Sequence, residues 1–184
     1  MNTPNNYKQV AKLYDALSPT LKKYLEHFPK LVSTDLPFEV VIAYLFQRLE
    51  RAHRRAIYGG IIKKHSTDAN LTNLTVSKAH LTRKEYDALF KRIFGSPLSQ
   101  LAEALRNDAE GIRDKSMHGT EVDDPPLRKA IKDVLEYFEA FNEHVHKAGG
   151  FEPCGDMRGL TGATGKLEKE TTRWILKGLE LPIK

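Results

Sequence analysis

Apolar residues recur at three- and four-residue spacing along most of the chain, the period of amphipathic helices rather than of strands. The clearest stretch is Thr82 to Phe94, where Tyr86, Leu89, Phe90, Ile93 and Phe94 form one stripe. Thr82 and Glu85 have the spacing of a capping box, and Gly95 is the residue type that ends helices. Ser96-Pro97 restarts the pattern, which Leu98, Leu101, Ala102, Leu105, Ala109 and Ile112 carry on. Beyond Gly119, the loop from Thr120 to Asp124 offers capping carboxylates, and Pro125-Pro126 fixes another helix start. Its stripe is Leu127, Ala130, Ile131, Val134, Leu135, Phe138, Phe141 and Val145, stopped by Gly149-Gly150.

Upstream, Asp35 and Pro37 open a long helix lined by Val41, Leu45, Leu49, Ala52 and Ala56. A helix or helix pair is expected over Tyr7 to Phe28, interrupted near Ser18-Pro19. Gly59-Gly60 reads as a break, and Leu71 to Leu81 as irregular or briefly extended. Six of the twelve glycines fall between Gly149 and Gly165, the composition of a mobile or functional loop. A short last helix follows, with Thr171, Trp174 and Ile175 expected to anchor it. With no repeat and no domain boundary apparent, the expectation is one all-α domain, a bundle of five or six helices. Its core spans residues 36–148, followed by a Gly-rich loop over 149–165 and a C-terminal helix over 166–178.

Composition narrows the class. Apolar residues at 40% and charged residues at 29% of 184 exclude disordered and collagen-like chains. A net charge of +5 favours polyanionic partners, though only moderately. The absence of a transmembrane-length apolar run and of a secretory-signal layout predicts a cytoplasmic protein, with no membrane partner. One cysteine, Cys154, permits neither an internal disulfide nor a cysteine-rich zinc site. His144 and His146 stand two apart and so on different helix faces, and no metal or other cofactor is expected. Thr161 to Lys166 approximates a phosphate-binding loop, but Leu160 occupies the first glycine position and Leu167 the Ser/Thr position, so it reads as a plain loop.

Candidate chemistry lies in Arg113-Asp114-Lys115-Ser116-Met117-His118-Gly119. An arginine can hold a phosphate and a histidine can move a proton near neutral pH, which suffices for metal-free RNA cleavage. Arg-to-His spacing of this kind arises about once by chance in such a composition. Indeed Arg48 to His53 repeats it, inside a long amphipathic helix and next to apolar Leu49, where it reads as a solvated face. Arg113 to His118 differs because polar Asp114 follows the arginine, Gly119 follows the histidine, and the pair lies where one helix ends and a capped helix begins.

With those features the chain resembles the HEPN superfamily, whose motif is Arg, a polar residue, a few residues and then His, placed between the last two helices of a small α-bundle. The resemblance covers residues 36 to 148. It implies a homodimer in which two motif copies approach each other and, in active members, a metal-independent endoribonuclease serving as a toxin or antiviral-defence effector, with an antitoxin or defence-system partner. Thr120 stands where the subgroup paired with nucleotidyltransferase antitoxins has tyrosine, which argues against that partnership.

On a straight helix, positions five apart are about 140° out of line, so Arg113 and His118 do not share a face. Either the helix loosens before Gly119 or two chains complete one site. His118 would take the proton of a ribose 2′-OH or protonate the leaving 5′-oxygen, and Arg113 would stabilise charge on the phosphate. Asp114 would orient one of them, and the product end would be a 2′,3′-cyclic phosphate. Arg51, Arg54, Arg55, Arg106 and Lys115, with Lys63, Lys64 and His65 nearby in the basic region, are candidates for holding the RNA backbone. The competing structural reading pairs Arg113 with a nearby carboxylate such as Glu110 and has His118 cap the helix C-terminus. The alternative function is a non-catalytic homodimer that binds RNA or a partner protein.

Overall fold

The computed structural model describes residues 3–98, 100–160 and 167–183, without the side chains at 101, 102 and 104. Among these residues the chain is all helical, with no strand. The elements are α1 (Tyr7–Asp15), α2 (Pro19–Tyr24), α3 (Phe28–Ser33), α4 (Phe38–His65), α5 (Ala69–Lys78), α6 (Arg83–Phe94), α7 (Gln100–Met117), α8 (Asp124–Gly149) and α9 (Lys169–Gly178). The helices outnumber the five or six expected because the short α1, α2, α3 and α5 are separate.

Where local chemistry is strong, the helix ends fall as the residues dictate. Ser18 Oγ accepts from Leu21 N with Pro19 in the first turn, so the chain stops and restarts at Ser18-Pro19. Thr82 and Glu85 form the reciprocal capping box of α6, and Gly95 closes it in the left-handed conformation. The five α6 stripe residues are buried, as are all eight apolar positions expected on α8 and the five on α4. On α7, Leu98 just before the helix and Ala109 within it are buried, while the side chains of Leu101 and Ala102 lie outside the described residues.

Two stretches differ from the sequence expectation. Gly59-Gly60 does not break α4, which continues to His65. A Cβ on Gly59 would stand 2.5 Å from the Phe151 ring, and one on Gly60 would stand 2.6 Å from both Ile93 and Phe94. The helical-propensity cost, about 1 kcal/mol per glycine, is thus offset by aromatic side chains packed directly against the helix backbone. Most of Leu71 to Leu81 is α5 rather than irregular chain. Its inward face carries Thr72 and Thr75, polar residues that hide the apolar period. Asp68 Oδ1 caps it by accepting from Leu71 N at 2.7 Å, and the Thr72 hydroxyl donates to Thr67 Oγ1 at 2.9 Å.

The C-terminal part is corrected as well. Trp174 does not anchor α9: it is 70% exposed, because the helical period that turns Thr172 and Leu176 inward carries Trp174 outward. Thr171 is also exposed and Ile175 only half-buried. Thr172 Oγ1 accepts from Asp68 N at 2.9 Å, tying α9 to the start of α5. The start of the glycine-rich segment is packed, with Phe151, Pro153 and Cys154 buried, while Asp156, Arg158 and Gly159 are exposed. Thr161 to Lys166, the stretch resembling a phosphate loop, lies outside the described residues.

The chain divides into two compact units, Met1–Arg51 with Ser99–Asn142, and Ala52–Leu98 with Glu143–Lys184. The first is built on aromatic contacts: Tyr7 stacks on Phe38 at 4.3 Å, Tyr14 on Phe28 at 5.6 Å, and Tyr24 meets Phe138 edge-on at 6.1 Å. In the second, Phe90 lies against Phe94 at 4.4 Å, and Arg92 pairs with Glu180 at 2.7 Å. No helix among the described residues is long and apolar enough to cross a membrane.

Candidate functional site at the end of α7

The end of α7 is shaped by its last residues. His118 N donates to Asp114 O at 3.0 Å, the ordinary helical interval, so the helix does not loosen before the histidine. Thr120 N then reaches back to Lys115 O at 3.0 Å and Gly119 N to Ser116 O at 3.3 Å, with Gly119 at φ +80°. This is a Schellman closure. His118 is its C-cap and Gly119 the residue that must turn left-handed, so the His-Gly pair has a structural cause independent of any chemistry. The consequence for His118 is exposure: it stands in solvent beside Met117, itself 66% exposed.

Arg113 is held quite differently. Its guanidinium lies 4.6 Å from the centroid of Phe46, a buried residue of α4 within the same unit. Its Nε and Nη2 both donate to Asp114 Oδ1, at 3.0 and 2.6 Å. Asp114, expected to assist catalysis, is an ion-pair partner of Arg113, the pairing with a nearby carboxylate that the structural reading expects.

The basic residues fall into distinct settings. Lys115, Arg51 and Arg54 are exposed. Arg55 is half-buried and donates through Nη2 to Gly155 O. Arg54 and Arg55 belong to the second unit, while Arg51 and the motif belong to the first. Lys63 and Lys64 are exposed in the last turn of α4, and His65 is half-buried. Arg106 does not reach the surface: at 1% exposure it is among the largest fully buried side chains, which removes it from a surface that meets RNA. Seven positions before Arg113 places it on the same helix side, but further inside the packed part of α7.

An open groove of about 610 Å³ lies in the first unit, with Asp108 and Ile112 of α7 and Pro125, Lys129 and Asp133 of α8 in its wall. Lys129 Nζ sits 2.6 Å from the buried carboxylate of Asp133 and 3.7 Å from Asp108. The hydrogen bond to Asp133 and the charges of both carboxylates hold the ammonium above its ordinary range. With two carboxylates against one lysine, this groove is a poor track for a phosphate chain.

The second Arg-to-His copy is not the solvated face that its pattern suggests. Arg48 stacks over the Tyr24 ring at 4.2 Å and donates through Nη2 to Tyr24 O, while the Tyr24 hydroxyl donates to Arg48 O at 2.8 Å. His53 stacks on Tyr86 at 4.4 Å. His144 is half-buried near Phe90, and burial, then Lys147, lowers its pKa; His146 is exposed.

No protein-family model, curated protein or solved structure matches the chain. The HEPN expectation rests on the sequence alone, on Arg113, Asp114, His118, Gly119 and the helical order around them. Phe46 is the site residue that spacing did not single out. It follows Leu45 of the α4 stripe, and nothing in that stripe signals the arginine above it.

Proposed function

We propose that the chain is a HEPN-like, metal-independent endoribonuclease of a toxin or antiviral-defence type, acting in the cytoplasm as a homodimer restrained by an antitoxin or other defence partner. The observation that carries this reading is the unbroken helix through Arg113 and the exposed C-cap at His118. One chain offers its arginine and its histidine in different directions, and a second copy brings the missing group to each. His118 of one chain removes the 2′-OH proton, the 2′-oxygen attacks phosphorus, and the P–O5′ bond breaks. The other His118 gives a proton to the leaving 5′-oxygen, while Arg113 bears the phosphorane charge. RNA supplies its own nucleophile, and the product end is a 2′,3′-cyclic phosphate.

The test is incubation of total RNA in EDTA with wild type, Arg113→Ala and His118→Ala, with end-group analysis of the products and light scattering for the dimer. Cleavage no faster in wild type than in either variant sinks the nuclease reading. One observation favours a second reading, a homodimer of the same fold that binds RNA or a partner protein without turnover. The donor edge of Arg113 is occupied by Asp114. RNA retention on a filter without cleavage supports it.

A further inference from the structure

The Arg113–Asp114 pair is unusual for its place. Adjacent residues on a helix point about 100° apart and do not ordinarily face each other. Here the guanidinium lies over Phe46 and turns its Nε and Nη2 donors onto the neighbouring carboxylate. That donor edge is the one that receives a carboxylate or a phosphate in two-point fashion, and Asp114 fills it with a single oxygen, Oδ1. The two side chains remain 28% and 51% exposed, so the pair is screened and weak enough for a phosphate to replace. Phe46, by contrast, is buried.

We infer that Arg113 on the Phe46 ring is an anion seat for an RNA phosphodiester whose resting occupant is the Asp114 carboxylate, so that Asp114 restrains the site instead of assisting it. The inference rests on the reading of Arg113 as the phosphate-holding residue of an RNA-cutting site, but it makes a separate claim about binding. Phosphate entry breaks the carboxylate contact while the ring keeps the guanidinium in place. Substitution of Asp114 then strengthens binding, whereas an orienting Asp114 would be needed for rate and neutral for binding.

The probe is a single-stranded 2′-O-methyl oligonucleotide, which cannot be cut, titrated at low salt against wild type, Asp114→Asn, Asp123→Asn, Arg113→Ala and the double variant Asp114→Asn/Arg113→Ala. Freed of its competitor, Asp114→Asn binds about two- to five-fold tighter, the range an exposed ion pair commands. Asp123→Asn removes the same charge from the exposed loop after α7 and changes binding by clearly less; the gain disappears in the double variant. Phe46→Leu, checked for folding by circular dichroism, also diminishes the gain in an Asp114→Asn background. Equal tightening in Asp114→Asn and Asp123→Asn, or a gain that survives loss of Arg113, overturns the seat. A parallel assay on unmodified RNA separates the claims: tighter binding without cleavage by any variant keeps the seat and discards the nuclease, while slower cleavage by Asp114→Asn with unchanged binding does the reverse.

Discussion

Arg48 with His53 and Arg113 with His118 carry the same spacing, yet the two pairs are treated in opposite ways by their surroundings. On α4, Arg48 is clamped to Tyr24 through ring and backbone, and His53 lies flat on Tyr86. On α7, Arg113 rests on Phe46 but gives its donors to an exposed carboxylate, and His118 stands past the helical turn in solvent. Both arginines use an aromatic ring as a platform. What distinguishes them is the acceptor: a backbone carbonyl for Arg48, a replaceable side chain for Arg113. Position along the helix makes the other difference, since His53 inside α4 is stacked and His118 at the C-cap of α7 is exposed.

The contrast breaks most sharply in activity. Under the nuclease reading, His118→Ala and Arg113→Ala lower RNA cleavage by about a hundredfold or more, while His53→Ala leaves it near wild type. An effect of His53→Ala as large as that of His118→Ala would place the chemistry in the wrong copy. Stability gives the inverse ranking. Arg48→Ala loses a charged hydrogen bond and a partly buried ring contact and costs about 2–3 kcal/mol in urea unfolding. Arg113→Ala gives up an exposed ion pair and one ring contact, and costs about 1 kcal/mol.

Smaller effects sharpen the role of the helix end. Gly119→Ala forces a Cβ into a left-handed residue and lowers stability by about 1 kcal/mol, readable in the same unfolding curves. A neutral result would mean that the Schellman turn is not retained in solution. His53→Ala forfeits a ring stack worth about 0.5–1.5 kcal/mol, against a few tenths for the exposed His118→Ala. Acid adds an independent marker in the second unit. His144 is held neutral by burial, so the unfolded chain binds more protons as pH falls through about 6.5 toward the lower folded value. Stability is therefore lost over that window, and His144→Gln flattens the dependence.

How far the residues alone reached depends on what kind of signal they carried. Thr82 with Glu85, Ser18 with Pro19, and the α8 stripe from Leu127 to Val145 act through neighbours a few positions away, and each is realised as written. Gly59-Gly60 was misleading because its cause is remote: Phe151 and Phe94 are brought there by the fold and need bare backbone. Thr72 and Thr75 hid α5 by being buried through hydroxyl contacts rather than apolar ones. Trp174 was misplaced because its bulk outweighed the period that sends it outward.

The same division runs through the site. By itself the sequence determined an all-helical chain, the end of α7 near Gly119, and one Arg-to-His pair at a helix boundary, because capping and periodicity are local and act within a turn or two. Only tertiary structure decided that Arg106 is buried, that Arg48 belongs to Tyr24, and that Phe46 supports Arg113 while Asp114 fills its donors. Those outcomes depend on which ring or carbonyl arrives from distant chain, and a guanidinium takes whichever planar partner packing delivers to it.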